Sequence, residues 1–371
     1  MGALERVFRG RRGGQERPIA AIVAGLWKNG EQGVWYDPSD LSTMYQDAAG
    51  TTPCYLPGQG QVDPPVGRIL DKSGRGNHAT QPTTTSRPTL SGRYNLLTGT
   101  ESLATQSVAV VTTAYTLTTA GPGSVTLSGA ASGTYTAGSR MVTCTAGALT
   151  LTVLGSVTQA DLRPANDGVG LPEYQRVVDA NTYDTVGFPP YLRFDGVDDF
   201  LQTTSVNFSG TDKALVAAAA RKLSDAAIGC LVELSSWGGV SGALSIQAPR
   251  TASNNLSAAL RDATNVAQYS IDGVASPSSF VLRAMFNISA TGITNQIGVT
   301  ANGATPSLSV SSAGPVVASA LANAPIYIGR RAGTSQPFNG RLYDLLIRGA
   351  ATPNATLAKV ERYLNSKARA Y

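Results

Sequence analysis

Charge is scarce in this 371-residue chain: 14% of residues are Asp, Glu, Lys or Arg, against roughly 25% in ordinary domains. Histidine occurs once, at His78, and cysteine three times, at Cys54, Cys144 and Cys230. Cysteine is rare and odd in number and no two stand at CxxC spacing, which argues against a zinc-ribbon site or a disulfide framework and fits synthesis in a reducing cytosol. A single histidine means that a Ser-His-Asp triad would have to use His78. That residue lies in SGRGNHAT, a turn, and no GxSxG nucleophile elbow accompanies it. Long apolar runs are also missing. PIAAIVAGLW is too short to span a bilayer and has no signal-peptide cleavage site after it, so membrane insertion is not expected.

What the chain has instead is Gly, Ser, Thr and Ala, arranged in four textures. Residues 1–32 carry Arg6, Arg9, Arg11, Arg12 and Arg17 against Glu5 and Glu16, most of the net charge of +5. This reads as a basic arm that docks on a partner. A single aromatic, Phe8, stands among these arginines, too few for base stacking, so nucleic acid is not the expected partner. Residues 33–92 are rich in Pro, Gly and Asp, with DPSD as a cap before a short helix in LSTMYQ. Trp27 and Trp35 read as anchors for the start of the domain or for a partner.

Residues 94–160 hold only two charged side chains, Glu101 and Arg140. Runs such as AYTLTTA and ALTLTVLGSV alternate with period two, the pattern of half-buried antiparallel strands. The stretch 93–162 is therefore expected to be a small inserted β-sandwich. Its uncharged strands offer little to deter edge pairing. From 163 to 371, eleven strand-like runs follow one another with turn signals about every ten residues, the spacing of a two-sheet sandwich or jelly roll. One helix closes the chain, with Pro353 near its start and Leu357, Val360 and Leu364 on one face.

The stretch YLRFDGVDDFLQTT gathers Asp195, Asp198 and Asp199 around Gly196. An EF-hand is excluded: counted from Asp195, position two is the glycine and position twelve is Val206. A looser calcium site on Asp198 or Asp199 stays open; otherwise no cofactor is expected. If both residues continued one strand, they would point to opposite faces, which argues against a catalytic pair. The stretch then reads as strand, Gly-centred turn and strand.

LRFDGVDDFLQT, together with IYIGRR and FNGRLYDLLIRGAATP, resembles the concanavalin A-like (laminin-G-like) jelly roll. The upstream WYDPSDLSTMYQDAAGTTP, PVGRILDKSGRGNHATQ and RPTL resemble a segment of tailed-phage virion proteins that precedes such a domain, often with a β-rich insertion. The match covers residues 33–371. It implies an all-β fold: a jelly roll begun in 33–92 and completed in 163–371, with an inserted β-sandwich and a C-terminal helix. It also implies a bacteriophage virion component, made in the host cytoplasm, associated with the tail or baseplate, partnered by other virion proteins and homotrimeric. Its expected task is attachment to a host-surface glycan or receptor.

Glycan surfaces need exposed aromatics and planar polar groups. The candidates are Trp237 in SSWGGVSG, Asn254 and Asn255 in RTASNNLS, and Arg330 and Arg331 in IGRRAG. Hydrolases of this fold show an E-x-D-x-x-E strand; none is present, and Glu233 in LVELSS stands alone, so no enzyme is expected. Two alternatives remain: a purely architectural capsid-decoration or baseplate protein, and a glycan-degrading enzyme.

Overall fold

The computed structural model describes residue 21, residues 23–55, 63–165, 171–179, 182–183, 185, 187–234, 240–310 and 314–371. The basic arm with Arg6, Arg9, Arg11, Arg12 and Arg17 lies outside the described residues, as does Trp237. Among the described residues, no helix is long and apolar enough to cross a membrane.

The chain divides into two compact units. One comprises residues up to Tyr55, Pro65–Leu90 and Tyr191–Tyr371; the other comprises Leu56–Pro64 and Ser91–Pro190. In chain order the first unit opens with five short strands: β1 (Gly33–Tyr36), β2 (Met44–Tyr45), β3 (Arg68–Ile69), β4 (Ala79–Thr80) and β5 (Thr89–Ser91), the last ending on the first residue of the second unit. The short helix expected in LSTMYQ is a single 3-10 turn, Leu41–Thr43, because Met44 and Tyr45 pair with Ile69 and Arg68 instead.

The second unit contains β6 (Gln106–Val110), β7 (Thr113–Ala120), β8 (Ser124–Gly129), β9 (Gly133–Tyr135), β10 (Gly138–Cys144), β11 (Gly147–Leu154) and β12 (Gln159–Pro164). They form a three-stranded sheet, β10-β7-β12, and a four-stranded sheet, β6-β11-β8-β9. The period-two pattern is realised: Tyr115, Leu117, Val125, Leu127, Leu149 and Leu151 point into one core, and the alternate Thr and Ser residues face out. This unit runs past residue 162 to Pro190 because Gln175 ties the later segment to its start. Gln175 Oε1 accepts the N–H groups of Tyr94 and Asn95 at 2.7 and 2.8 Å, and its own N–H donates to Asp161.

The first unit resumes with β13 (Tyr191–Asp195), β14 (Leu201–Asn207), β15 (Lys213–Lys222), β16 (Cys230–Leu234), β17 (Ala243–Gln247), β18 (Leu256–Arg261), β19 (Val266–Ile271) and β20 (Ser278–Asn287). After the one-turn helix α1 (Ile293–Gln296) come β21 (Ile297–Ala301), β22 (Leu308–Val310), β23 (Asn323–Ile328), β24 (Asn339–Arg348) and helix α2 (Asn354–Ala368). Two antiparallel sheets result, so the fold is an all-β jelly-roll sandwich with an inserted small β-sandwich and a C-terminal helix. One sheet has seven strands, β21-β20-β15-β24-β13-β5, with β1 also on β24. The other has ten, β2-β3-β4-β14-β23-β16-β17-β18-β19-β22.

Strand β15, KALVAAAARK, is buried on both faces, which explains its near-continuous apolar run. Helix α2 packs on β15, β20 and β24 and fully buries Leu357, Val360 and Leu364. Each such side chain contributes about 1.5–3 kcal/mol.

Candidate binding surface

The ten-stranded sheet places its two faces in sharp contrast. On one face, Leu201, Ile328, Val232, Ile246 and Ala258 follow one another in register, and Met44, Ile69 and Ala79 do so at the sheet's end. All eight are fully buried. The next register row lies on the opposite face, because successive side chains alternate. It reads Tyr45, Arg68, Thr80, Gln202, Tyr327, Glu233, Ser245, Ala259 and Gln268 across nine strands. Eight of these nine residues are aromatic or polar.

Burial splits this row. From Tyr45 to Tyr327 every member is half-exposed; from Glu233 to Gln268 every member is buried. At about 4.8 Å per strand, the half-exposed part extends about 19 Å. Phe200 adds a second aromatic ring beside Tyr327, with centroids 6.5 Å apart at 41°. Gly333 permits this, since a Cβ there would stand 2.9 Å from the Phe200 ring.

The buried part is held by its own polar network. Arg331 Nε donates to Glu233 Oε2 at 3.1 Å. The Cys230 thiol faces the same oxygen at 3.9 Å, and burial, then the Glu233 charge, push that thiol well above its ordinary range. Gln268 reaches across to the adjacent row, donating to Gln247 Oε1 and Ser257 Oγ, while Ser257 donates to the same Gln247 oxygen and Gln247 Nε2 donates to Gln336. These bonds fix the Gln247 amide orientation and satisfy groups whose burial would otherwise be costly.

The DGVDD turn connects β13 and β14. Asp198 and Asp199 are not on a strand, so the rule that neighbours point to opposite faces does not apply to them. With Asp195 they offer three carboxylate oxygens within 4.8 Å of one another. Gly196 carries the turn at φ +79°. Asp195 Oδ1 accepts the Val197 N–H at 2.8 Å, Asp199 Oδ2 accepts the Asp195 N–H at 3.0 Å, and Ser86 Oγ donates to Asp198 at 2.7 Å. Calcium takes six to eight oxygen ligands. Here one oxygen of each carboxylate already accepts a hydrogen bond. Burial, reinforced by Asp195 and Asp198, pushes the Asp199 carboxyl up to about 7.

The other sequence-derived candidates scatter. Asn255 is buried and turns its side chain back on its own loop: Oδ1 accepts the Arg250 and Thr251 N–H groups, and Nδ2 donates to Thr251 Oγ1. Asn254 is exposed beside it. Arg330 reaches the Asp198 carbonyl at 3.5 Å and so joins the DGVDD rim. Arg331 braces Glu233. The row members Tyr45, Arg68, Gln202 and Tyr327 were not among the candidates.

The DPSD and DKSGRGNHAT motifs form a structural clamp. Asp71 accepts hydrogen bonds from the backbone of Trp35, Ser73 and Asn77 and from the Ser73 hydroxyl. His78 Nδ1 accepts the Asp71 N–H at 3.0 Å. Burial, then the Arg68 charge, depress the His78 pKa, so its ring is neutral with the proton on Nε2. Lys72 bridges Asp37 and Asp40, each at 2.9 Å, and stands 4.6 Å from the centre of the Trp35 ring. Lys367 of α2 pairs with Asp37 and, at 3.1 Å, with Asp344. Trp27 and Trp35 stack at 6.4 Å, both buried. They anchor the start of the domain.

No protein-family model and no curated protein matches the sequence. Among solved structures, the chain is similar to the CBM40 of the Ruminococcus gnavus IT-sialidase bound to alpha2,3 sialyllactose. Identity is 15% over 41% of this chain and 83% of that one, with a TM-score of 0.32. It is also similar to the ligand binding domain of botulinum neurotoxin serotype D in complex with N-acetylneuraminic acid: 13% identity, 46% of this chain, 42% of that one, TM-score 0.35. A third is the botulinum neurotoxin serotype G binding domain, at 11% identity, 48% and 43% coverage and a TM-score of 0.35.

Proposed function

We propose that this chain is a glycan-binding attachment protein of a bacteriophage particle. The glycan reading rests on one observation: a half-exposed register row, Tyr45-Arg68-Thr80-Gln202-Tyr327, on the polar face of a sheet whose other face is wholly apolar there. Sugar rings present C–H faces to aromatics and hydroxyls to planar polar groups, and the row supplies both on a rigid strand scaffold. The particle reading rests on the resemblance of residues 33–92 to tailed-phage virion proteins. In this reading the basic arm docks to other virion proteins, the chain assembles as a homotrimer, and its place is the tail or baseplate.

The chain binds without cleaving. Glu233 is the one acid on the row, it is paired with Arg331, and no second carboxylate stands on the row to complete a hydrolytic pair. The protein needs no metal, so its melting temperature is the same in chelator and in calcium.

Binding of the purified chain to arrayed polysaccharides and to host envelope glycans tests the reading. Binding that falls with Tyr327→Ala supports it. Absence of binding by the wild-type chain leaves the architectural alternative ahead, and release of shorter saccharides from a bound polysaccharide would establish the enzyme. Light scattering reads the oligomeric state, and labelling of intact particles reads the location.

A further inference from the structure

The half-buried part of the row has a charge asymmetry that the proposed function leaves unused. Its five half-exposed members include one cation, Arg68, and no acid. The row's one carboxylate, Glu233, is fully buried and paired with Arg331. Arg68 is held but not consumed. Its Nη1 donates to the Ala49 carbonyl at 2.9 Å, while its Nε is buried without a hydrogen-bond partner among the described residues. Gly50 makes the seat: a Cβ there would stand 3.0 Å from Arg68 Nη1 and 3.2 Å from its Cδ. Tyr45 lies in register on one side of Arg68 and Thr80 on the other, each with a hydroxyl. His78, two residues before Thr80, is neutral with a donating Nε2–H. The end of the row therefore carries donor-bearing side chains on the strand positions flanking Arg68.

We infer that this end of the row, centred on Arg68 with Tyr45, Thr80 and His78, recognises the carboxylate of an acidic saccharide, so that the glycan bound is a uronic-acid-type polymer rather than a neutral one. This rests on the glycan-binding reading. A guanidinium matches a carboxylate in plane and charge, and its bonds to a charged acceptor are the stronger kind.

The test compares binding of uronic-acid oligosaccharides with the same oligosaccharides after their carboxyl groups are reduced to alcohols. The wild-type chain binds the acidic form about tenfold or more tightly, with an advantage that shrinks as salt rises. Arg68→Gln abolishes that preference, so that its acidic and reduced forms bind alike, and Arg68→Lys retains part of it; unchanged melting temperatures exclude misfolding. Equal binding of both forms by the wild-type chain overturns this inference alone and leaves glycan binding standing. A preference for sulfated over carboxylated oligosaccharides, or a preference that survives Arg68→Gln, also overturns it. Binding of neither form overturns this inference; the glycan reading falls with it only where the arrayed and envelope glycans are not bound either.

Discussion

Tyr327 and Glu233 stand directly opposite each other on β23 and β16, and exposure changes abruptly between them: the tyrosine is half-exposed and the glutamate is 0% exposed. The polar face thus has an open part and a closed part with a one-strand boundary. Substitutions on the two sides should have different consequences.

On the open side, Tyr327→Ala should weaken glycan binding about tenfold and shift the melting temperature little. The ring is a platform in contact with Phe200 and not a core element. Tyr327→Phe should retain most of the affinity if stacking dominates. Isothermal titration of the three proteins with one oligosaccharide checks this.

On the closed side, Arg331→Ala removes the cation from a fully buried carboxylate and should cost about 3 kcal/mol in urea unfolding. Glu233→Gln combined with Arg331→Met should recover most of that loss, because no buried charge then lacks its counter-ion. Equal destabilisation by the single and double variants would show that packing, not charge, sets the cost.

The DGVDD turn makes a pH prediction with a definite sign. Asp199 has a folded pKa of about 7, above its ordinary value near 4. A raised carboxyl favours the folded state while protonated, so its contribution is fully present below about pH 4 and is lost as pH rises through about 7. Asp199→Asn should raise the melting temperature at pH 8 by about 2 °C or more and leave it nearly unchanged at pH 4. The amide oxygen can still accept the Asp195 N–H. Melting curves across pH 4–8 read the difference.

Helix α2 is tied to the domain start by Lys367, which serves Asp37 and Asp344 together. Burial would raise Asp37, but Lys367 and Lys72 outweigh it and hold that carboxyl well below the usual range. Asp344 is fully buried, and burial, offset by Lys367, leaves it raised to about 6. Lys367→Met should therefore destabilise by about 3 kcal/mol, leaving Asp344 without its lysine. Hydrogen exchange should show α2 opening before the sheet beneath it.

Much of this architecture could be read along the chain, because alternation is local. AYTLTTA, LRFDG and GRLYDLLIRG each announce a strand by their own residues, and NATLAKVERYLNSKA announces a helix by Leu357, Val360 and Leu364. The binding row could not be read in the same way. Tyr327 sits between Ile326 and Ile328, and Gln202 between Leu201 and Thr203, as strand residues do, but nothing local reveals that they pair across more than a hundred residues. Asn255 looked available because a loop asparagine often is; its commitment to Arg250 and Thr251 is a matter of loop geometry. The aspartates of DGVDD converge because they occupy a turn, where strand alternation lapses.

The pairing of β1 with β24 has a consequence for the order in which the molecule is made. Tyr36 has Leu345 as its ladder partner, and Trp27 donates to the Ile347 carbonyl. At ordinary synthesis rates of 5–20 residues per second, the first strand waits roughly 15 to 60 s for its partner to be translated. Throughout that interval Trp27 and Trp35 lack the sheet they are buried against. The emerging chain must carry two uncovered indole rings until β24 appears, about 300 residues after Trp35, so the domain cannot close around them before that strand is made.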